Sequence, residues 1–206
     1  MYRNILTEEQ VRLLSILKDY SKDYYMVGGT ALALHIGHRR SLDFDLFTNK
    51  DVKRKSIKNY FKKNYEDIIV YGYEDYEQLH LKINNVKCTF FKYPYLLENF
   101  VWFEDIIKIP TLLDLSAMKA AALGGRAKWK DYVDLYFIFK EHFSLQEVSQ
   151  RAEELFGNIY NEKLFRQQIC YFDDIDYSEE VDFLREKPSK DEILNYLIEI
   201  VLTKFN

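Results

Sequence analysis

Cysteine is scarce in this chain: Cys88 and Cys170 are the whole complement. Two thiols cannot build a disulfide framework or a zinc cluster, and they fit a reducing cytoplasm, each as a small buried hydrophobe. Only 3 Pro and 7 Gly are present, which excludes collagen-like and low-complexity character. No apolar run approaches the ~20 residues of a membrane span. Met1 to Gln10 lacks the apolar core of a signal peptide. An excess of positive charge is missing too. The 29 Lys+Arg against 33 Asp+Glu give a net charge of −4, which argues against holding nucleic acid by bulk charge alone. What the chain does have is 206 residues, 48% of them hydrophobic and 30% charged, enough for a sizeable core. Aromatics reach 17%, far from a disordered composition. Charge is unevenly spread: residues 1–140 carry net +4 and residues 141–206 net −8.

Periodicity places the elements. Leu6 to Tyr20 reads as one helix capped by Thr7, with Leu13 and Leu17 on one face. Tyr24 to Val27 is a strand that runs into Gly28-Gly29, and Thr30 to Ile36 is a helix stopped by Gly37. Leu42 to Phe47 alternates as a strand with Asp43 and Asp45 on one face. Asp51 to Asn64 is a charged helix. Ile68 to Tyr73, Leu79 to Ile83, Val86 to Tyr93 and Ile106 to Ile109 are strands, with Asn84-Asn85 as a hairpin turn. After Pro110 the chain turns helical. Leu112 to Leu123 is opened by Thr111 and Asp114 and ended by Gly124-Gly125. Lys130 to His142 follows, then a helix capped by Ser144 and Glu147. Asn161–Tyr171 and Lys190–Phe205 give two more, with the acidic stretch Asp173 to Asp182 as a loop. The expectation is an α+β fold: a mixed sheet flanked by helices over residues 1–110, then a C-terminal helical bundle over 111–206 packed on it.

The chemistry concentrates in Val27-Gly28-Gly29-Thr30 followed by Asp43-Phe44-Asp45-Leu46. A strand entering a helix through two glycines lets backbone N–H groups approach an anion, and the helix N-terminus adds positive potential. Two carboxylates on one strand face raise each other's pKa unless a cation sits between them. Hard divalent cations take such carboxylates together with phosphate oxygens. A phosphate cradle beside a two-carboxylate metal site is what metal-assisted nucleotidyl transfer requires. Arg39 lies between the two halves and suits bidentate phosphate contact, while the neighbouring His35 and His38 read as structural.

This spacing is the signature of the DNA polymerase β-like nucleotidyltransferase superfamily. More closely, Gly28 to Leu34, Gly37-His38-Arg39 and Ser41 to Phe47 resemble the AbiEii/AbiGii toxin family. Met118-Lys119, Arg126 and Lys130 to Tyr136 resemble that family's second motif block. The resemblance covers residues 24–140. It implies a nucleotidyltransferase-like fold and a toxin of a toxin–antitoxin or phage-exclusion system. It implies Mg²⁺ (or Mn²⁺) held by Asp43 and Asp45, an NTP substrate contacted by Gly28, Gly29 and Thr30, and Lys119 neutralising phosphate charge. Asp131 or Asp134 would serve as base or substrate-positioning acid. The acceptor it implies is an RNA end such as tRNA, or a protein side chain, with a cognate antitoxin as a possible partner and no membrane. The third carboxylate usual in catalysing members belongs on Val86 to Phe91, where Cys88 and Thr89 stand instead. That leaves two other classes open: a degenerate fold that binds nucleotide or a partner without turnover, and a small-molecule nucleotidyltransferase. The seven basic residues between Lys50 and Lys63 weigh against the small-molecule class, since they offer a face to RNA or an acidic partner. Tyr93, Tyr95, Phe100, Trp102 and Phe103 form an aromatic cluster that reads as core packing ahead of base stacking.

Overall fold

A computed structural model of the protein describes residues 1–65, 69–123, 125 and 127–202. It divides into two compact units, Met1–Thr111 and Leu112–Asn206. Ile68, Gly124, Arg126 and residues 203–206, to which the sequence assigns parts of elements or motifs, lie outside the described residues.

The first unit is built on a five-stranded sheet. Its strands are β1 (Tyr25–Val27), β2 (Phe44–Thr48), β3 (Ile69–Glu74), β4 (Gln78–Ile83) and β5 (Val86–Lys92). The order is β1-β2-β5-β4-β3, with β2 and β5 parallel and the other neighbours antiparallel. Alternation decides the two faces. Phe44 and Leu46 of β2, Leu79, Leu81 and Ile83 of β4, and Val86, Cys88 and Phe90 of β5 are buried. Asp45, Gln78, His80, Thr89 and Phe91 take the intervening positions and remain half-exposed. Helices α2 (Leu14–Tyr20) and α4 (Arg54–Asn64) cover the apolar face. Phe90 is the anchor, with ring centroids 5.0 Å from Tyr20, 5.2 Å from Tyr24 and 6.4 Å from Phe61. A buried aromatic of this size contributes roughly 1.5–3 kcal/mol. The β4–β5 turn is the expected Asn84-Asn85, with Asn84 at φ 51°. At the sheet's outer edge, the pairing of β3 with β4 shifts register between Tyr71 and Glu74.

Three expectations in this unit change. The single helix from Leu6 to Tyr20 is two, α1 (Glu8–Arg12) and α2, broken where Leu13 adopts φ −90°, ψ 0°. Thr7 does cap the first, in a reciprocal box with Gln10. The charged helix begins at Arg54, three residues later than expected. The aromatic run includes a strand the sequence reading omits: β6 (Phe100–Phe103) pairs antiparallel with β7 (Ile107–Pro110). Phe103 is buried, but Trp102 is 51% exposed beneath the Lys108 ammonium, so that cluster is not uniformly core.

The second unit is helical: α5 (Leu112–Leu123), α6 (Trp129–Glu141), α7 (Leu145–Phe156), α8 (Glu162–Ile169) and α9 (Lys190–Leu202). Helix α6 is the central one, since Tyr132, Val133, Leu135 and Ile138 are all fully buried. The expected Ser144–Glu147 capping box starts α7. Asp114 in the first turn of α5 accepts a 2.6 Å hydrogen bond from Arg151 of α7. The acidic stretch is a loop, as expected, and its Glu179 finds basic partners within the same unit. Glu179 sits 2.6 Å from the Lys128 ammonium and 2.8 Å from that of Lys130. Among the described residues no helix is long and apolar enough to cross a membrane.

Candidate active site

The site of the first unit begins where β1 ends. Helix α3 (Gly28–Ile36) follows without a loop, and its N-cap, Val27, offers no side chain to its first-turn N–H groups. Gly28 adopts φ +75°, a conformation that favours glycine, and a Cβ there would overlap the Asp45 carboxylate. Val27 and Asp45 are in register across the β1–β2 pair. Asp45 therefore rests directly on the glycine turn. A Cβ on Gly29 would come within 2.8 Å of Ser41 Oγ and 2.9 Å of Arg39 Nη2, so the buried Arg39 guanidinium lies against the same turn. Its Nη1 donates to the Arg40 carbonyl at 2.9 Å. Gly37 ends the helix in the left-handed region at φ +66°.

Asp43 sits just ahead of β2, half-buried. The segment that presents it is tied down from two sides. The Thr30 hydroxyl donates to the Asp43 carbonyl at 2.5 Å, and Gln10 Nε2 donates to the Ser41 carbonyl at 2.9 Å. The sequence reading puts Thr30 at the triphosphate; its side chain is buried and bonds the loop that carries Asp43, so only its backbone belongs to the helix N-terminus. Burial first, then the negative fields of Asp45 and Asp43, push the Cys88 thiol up to about 12. Both carboxylates thus act on the centre of the sheet.

The second unit holds the other three expected residues as one cluster. Lys119 of α5 is 8% exposed, and its Nζ lies 2.8 Å from Asp131 Oδ1 and 2.7 Å from Asp134 Oδ2 of α6. The i, i+3 spacing brings both carboxylates to one lysine. The sequence reading leaves Lys130 and Arg126 open as their partners. Lys130 instead pairs with Glu179, and Arg126 is outside the described residues.

Residues 12–194 match the family described as nucleotidyl transferase AbiEii toxin, type IV TA system. The chain belongs to this AbiEii toxin family. It is a nucleotidyltransferase, and its mixed sheet flanked by helices is nucleotidyltransferase-like. An uncharacterised protein of Aquifex aeolicus is 34% identical over 157 residues, 74% of this chain and 75% of its own. MenT4, a nucleotidyltransferase toxin of Mycobacterium tuberculosis, superposes with a TM-score of 0.59 at 12% identity, covering 93% of this chain and 81% of its own. JHP933 of Helicobacter pylori gives 0.56 at 18% identity, covering 97% and 90%. At such identities the two structures show a shared fold.

Register shows which residues neighbour Asp45 in this AbiEii protein, on the strand where the sequence reading expects a third acid. Asp45 stands opposite Thr89 on β5, and Thr89 opposite His80 on β4. No acid occupies that row beyond Asp45. Among the described residues no three His, Cys, Asp or Glu side chains gather as metal ligands. The donor set of Asp43 and Asp45 suits a hard cation that takes its remaining ligands from phosphate and water. The sequence reading passes over His80. Its signal is the polar alternation Gln78, His80, Lys82 along β4.

Proposed function

We propose that this protein is a Mg²⁺-dependent toxin enzyme that transfers a nucleotide from an NTP to an RNA acceptor, with tRNA as the leading candidate. The observation that carries it is the Asp45 carboxylate standing on the Gly28 turn at the N-terminus of α3. Asp43 and Asp45 would hold the metal, which lowers the charge of the reacting phosphate when bound. The first-turn N–H groups of α3, at Gly28, Gly29 and Thr30, would take the triphosphate, with Arg39 behind them adding positive potential. The buried cluster of Lys119, Asp131 and Asp134 would hold α5 and α6 together within the second unit. The residues of this chain contribute placement and charge neutralisation, the main demands of phosphoryl transfer.

The RNA acceptor is supported by the surface of α4 and β3. Lys53, Arg54 and Lys55 crowd the start of α4, where the helix dipole disfavours cations and an anion would relieve them, while Lys58 already pairs with Glu74 at 2.5 Å. Tyr76, 88% exposed, lies under the Arg54 guanidinium at 5.4 Å, and Tyr71 under Lys58 at 5.2 Å. Exposed aromatic rings among cations suit unpaired bases on a phosphate backbone. A cognate antitoxin is the expected partner, after the family's description.

The test is a labelling assay with Mg²⁺, each of four labelled NTPs, and a total RNA and protein extract, beside an Asp43→Ala/Asp45→Ala variant. Label on RNA in the parent alone is the expected result. Label on protein would move the acceptor class, and equal label in the variant would remove the metal assignment.

A further inference from the structure

The parallel β2–β5 pair and the antiparallel β5–β4 pair carry one row across the open sheet face: Asp45, Thr89, His80. Neighbours in such a row project to the same side, about 4.8 Å apart from strand to strand. Beside it lies a cavity of about 320 Å³ lined by His80, Thr89, Tyr73, Val70, Lys82 and Lys87. Val70 and Tyr73 are exposed, so this face is open.

His80 is held there in a defined tautomer. Its Nε2 lies 2.8 Å from Gln78 Oε1. The orientation of Gln78 is set in turn, because its amide nitrogen donates to Asp75 Oδ2 at 3.1 Å. Asp75 is a firm acceptor. The Gln78 side chain first, then the Glu77 backbone, holds its carboxyl at about 2. With the amide nitrogen bound to a carboxylate, the Gln78 oxygen must face the imidazole, so Nε2 carries the proton and Nδ1 keeps its lone pair. A base held by a second group that is itself held by a carboxylate is the arrangement of an activated proton acceptor. The charged and titratable groups around the ring are Tyr73 on β3, with centroids 6.0 Å apart, Lys82 on its own strand and Lys87 on β5.

We propose that this cavity receives the acceptor hydroxyl and that His80 Nδ1 takes its proton, in place of the acid missing at Thr89. This rests on the nucleotidyl-transfer reading above. As the proton passes to Nδ1, the hydroxyl oxygen's electron pair forms the bond to the α-phosphorus. The bond from that phosphorus to the bridging oxygen breaks, and pyrophosphate leaves with its electrons. The imidazolium then releases its proton to water. Lys82 and Lys87 stand where an acceptor's own phosphates would lie, and Tyr73 offers a ring to its terminal base.

The experiment compares the parent, His80→Gln, His80→Asn and Gln78→Leu for Mg²⁺-dependent transfer of labelled NTP to total RNA across pH, with equilibrium NTP binding measured separately. Expected is a loss of about 10²-fold in transfer rate for both His80 variants, with NTP affinity unchanged and the acid limb of the pH profile gone. Gln78→Leu should give a smaller loss of rate, again with NTP affinity unchanged. Parental rate and acid limb in His80→Gln would overturn the assignment, as would a loss of transfer matched by a loss of NTP binding. These outcomes leave the function reading standing. A parent that labels nothing, like Asp43→Ala/Asp45→Ala, would remove both.

Discussion

The two groups of candidate residues are built on opposite principles. Asp43 and Asp45 are half-exposed carboxylates on a strand and its approach, placed by backbone: a glycine with no side chain to obstruct Asp45, and a threonine that ties the carbonyl of Asp43. Lys119, Asp131 and Asp134 are buried on two helices and placed by one another. In the first, backbone geometry sets where each carboxylate stands. In the second, charge is compensated inside the fold. The first group should therefore give up activity with little stability when altered. The second should give up stability first.

Lys119→Ala tests the second half of that contrast most severely. It leaves two buried aspartates facing each other, and breaking a buried pair from one side costs about 3–5 kcal/mol. Chemical denaturation should show a loss of this size, whereas Asp43→Asn, at a half-exposed carboxylate ahead of β2, should melt close to the parent. If the two variants melt alike, the contrast fails. Gly28→Ala comes next. It forces a left-handed alanine, worth roughly 1–2 kcal/mol, and pushes the Asp45 carboxylate off the turn. A displacement of about 1 Å at a reacting centre can cost about 10²-fold, so rate should fall far more than stability. Equal losses in both would show that the turn is merely structural.

The smallest effect is an acid titration. Lys128 first, then Lys130, holds the Glu179 carboxyl down at about 2, from an ordinary value near 4.5. Its contribution is complete above the unfolded value and is lost as pH falls from about 4.5 towards 2. The group is half-exposed, so solvent screening limits the contribution to less than about 1 kcal/mol. Glu179→Gln should lower the melting temperature slightly at pH 7 and leave it unchanged near pH 2. A difference that persists at the lower pH would assign the effect to packing.

Much of this arrangement is legible along the chain because its causes are local. The alternation through Asp43 and Asp45, the Thr7 and Ser144 caps, the Asn84-Asn85 turn and the stop at Gly37 each depend on a few adjacent residues. The α+β class follows from their order. What the sequence hides depends on distant partners. Nothing near Leu13 announces a break, since good helix formers surround it. β6 hides in an aromatic run whose strand character depends on β7. Thr30 looks like a phosphate ligand until its hydroxyl is seen bonded to the Asp43 carbonyl. The spacing of Asp131 and Asp134 shows a shared helix face, but only packing shows that Lys119 is what they share.

The register shift in β3 has a consequence for the protein's behaviour at high concentration. A straight outer strand bearing Val70, Tyr71 and Tyr73 would present evenly spaced N–H and C=O groups to any other extended chain, including an identical one. Between Tyr71 and Glu74 that spacing is interrupted, and an incoming strand would lose its match after a few residues. On this edge the interruption works against strand-by-strand growth, and it leaves the exposed tyrosines accessible there.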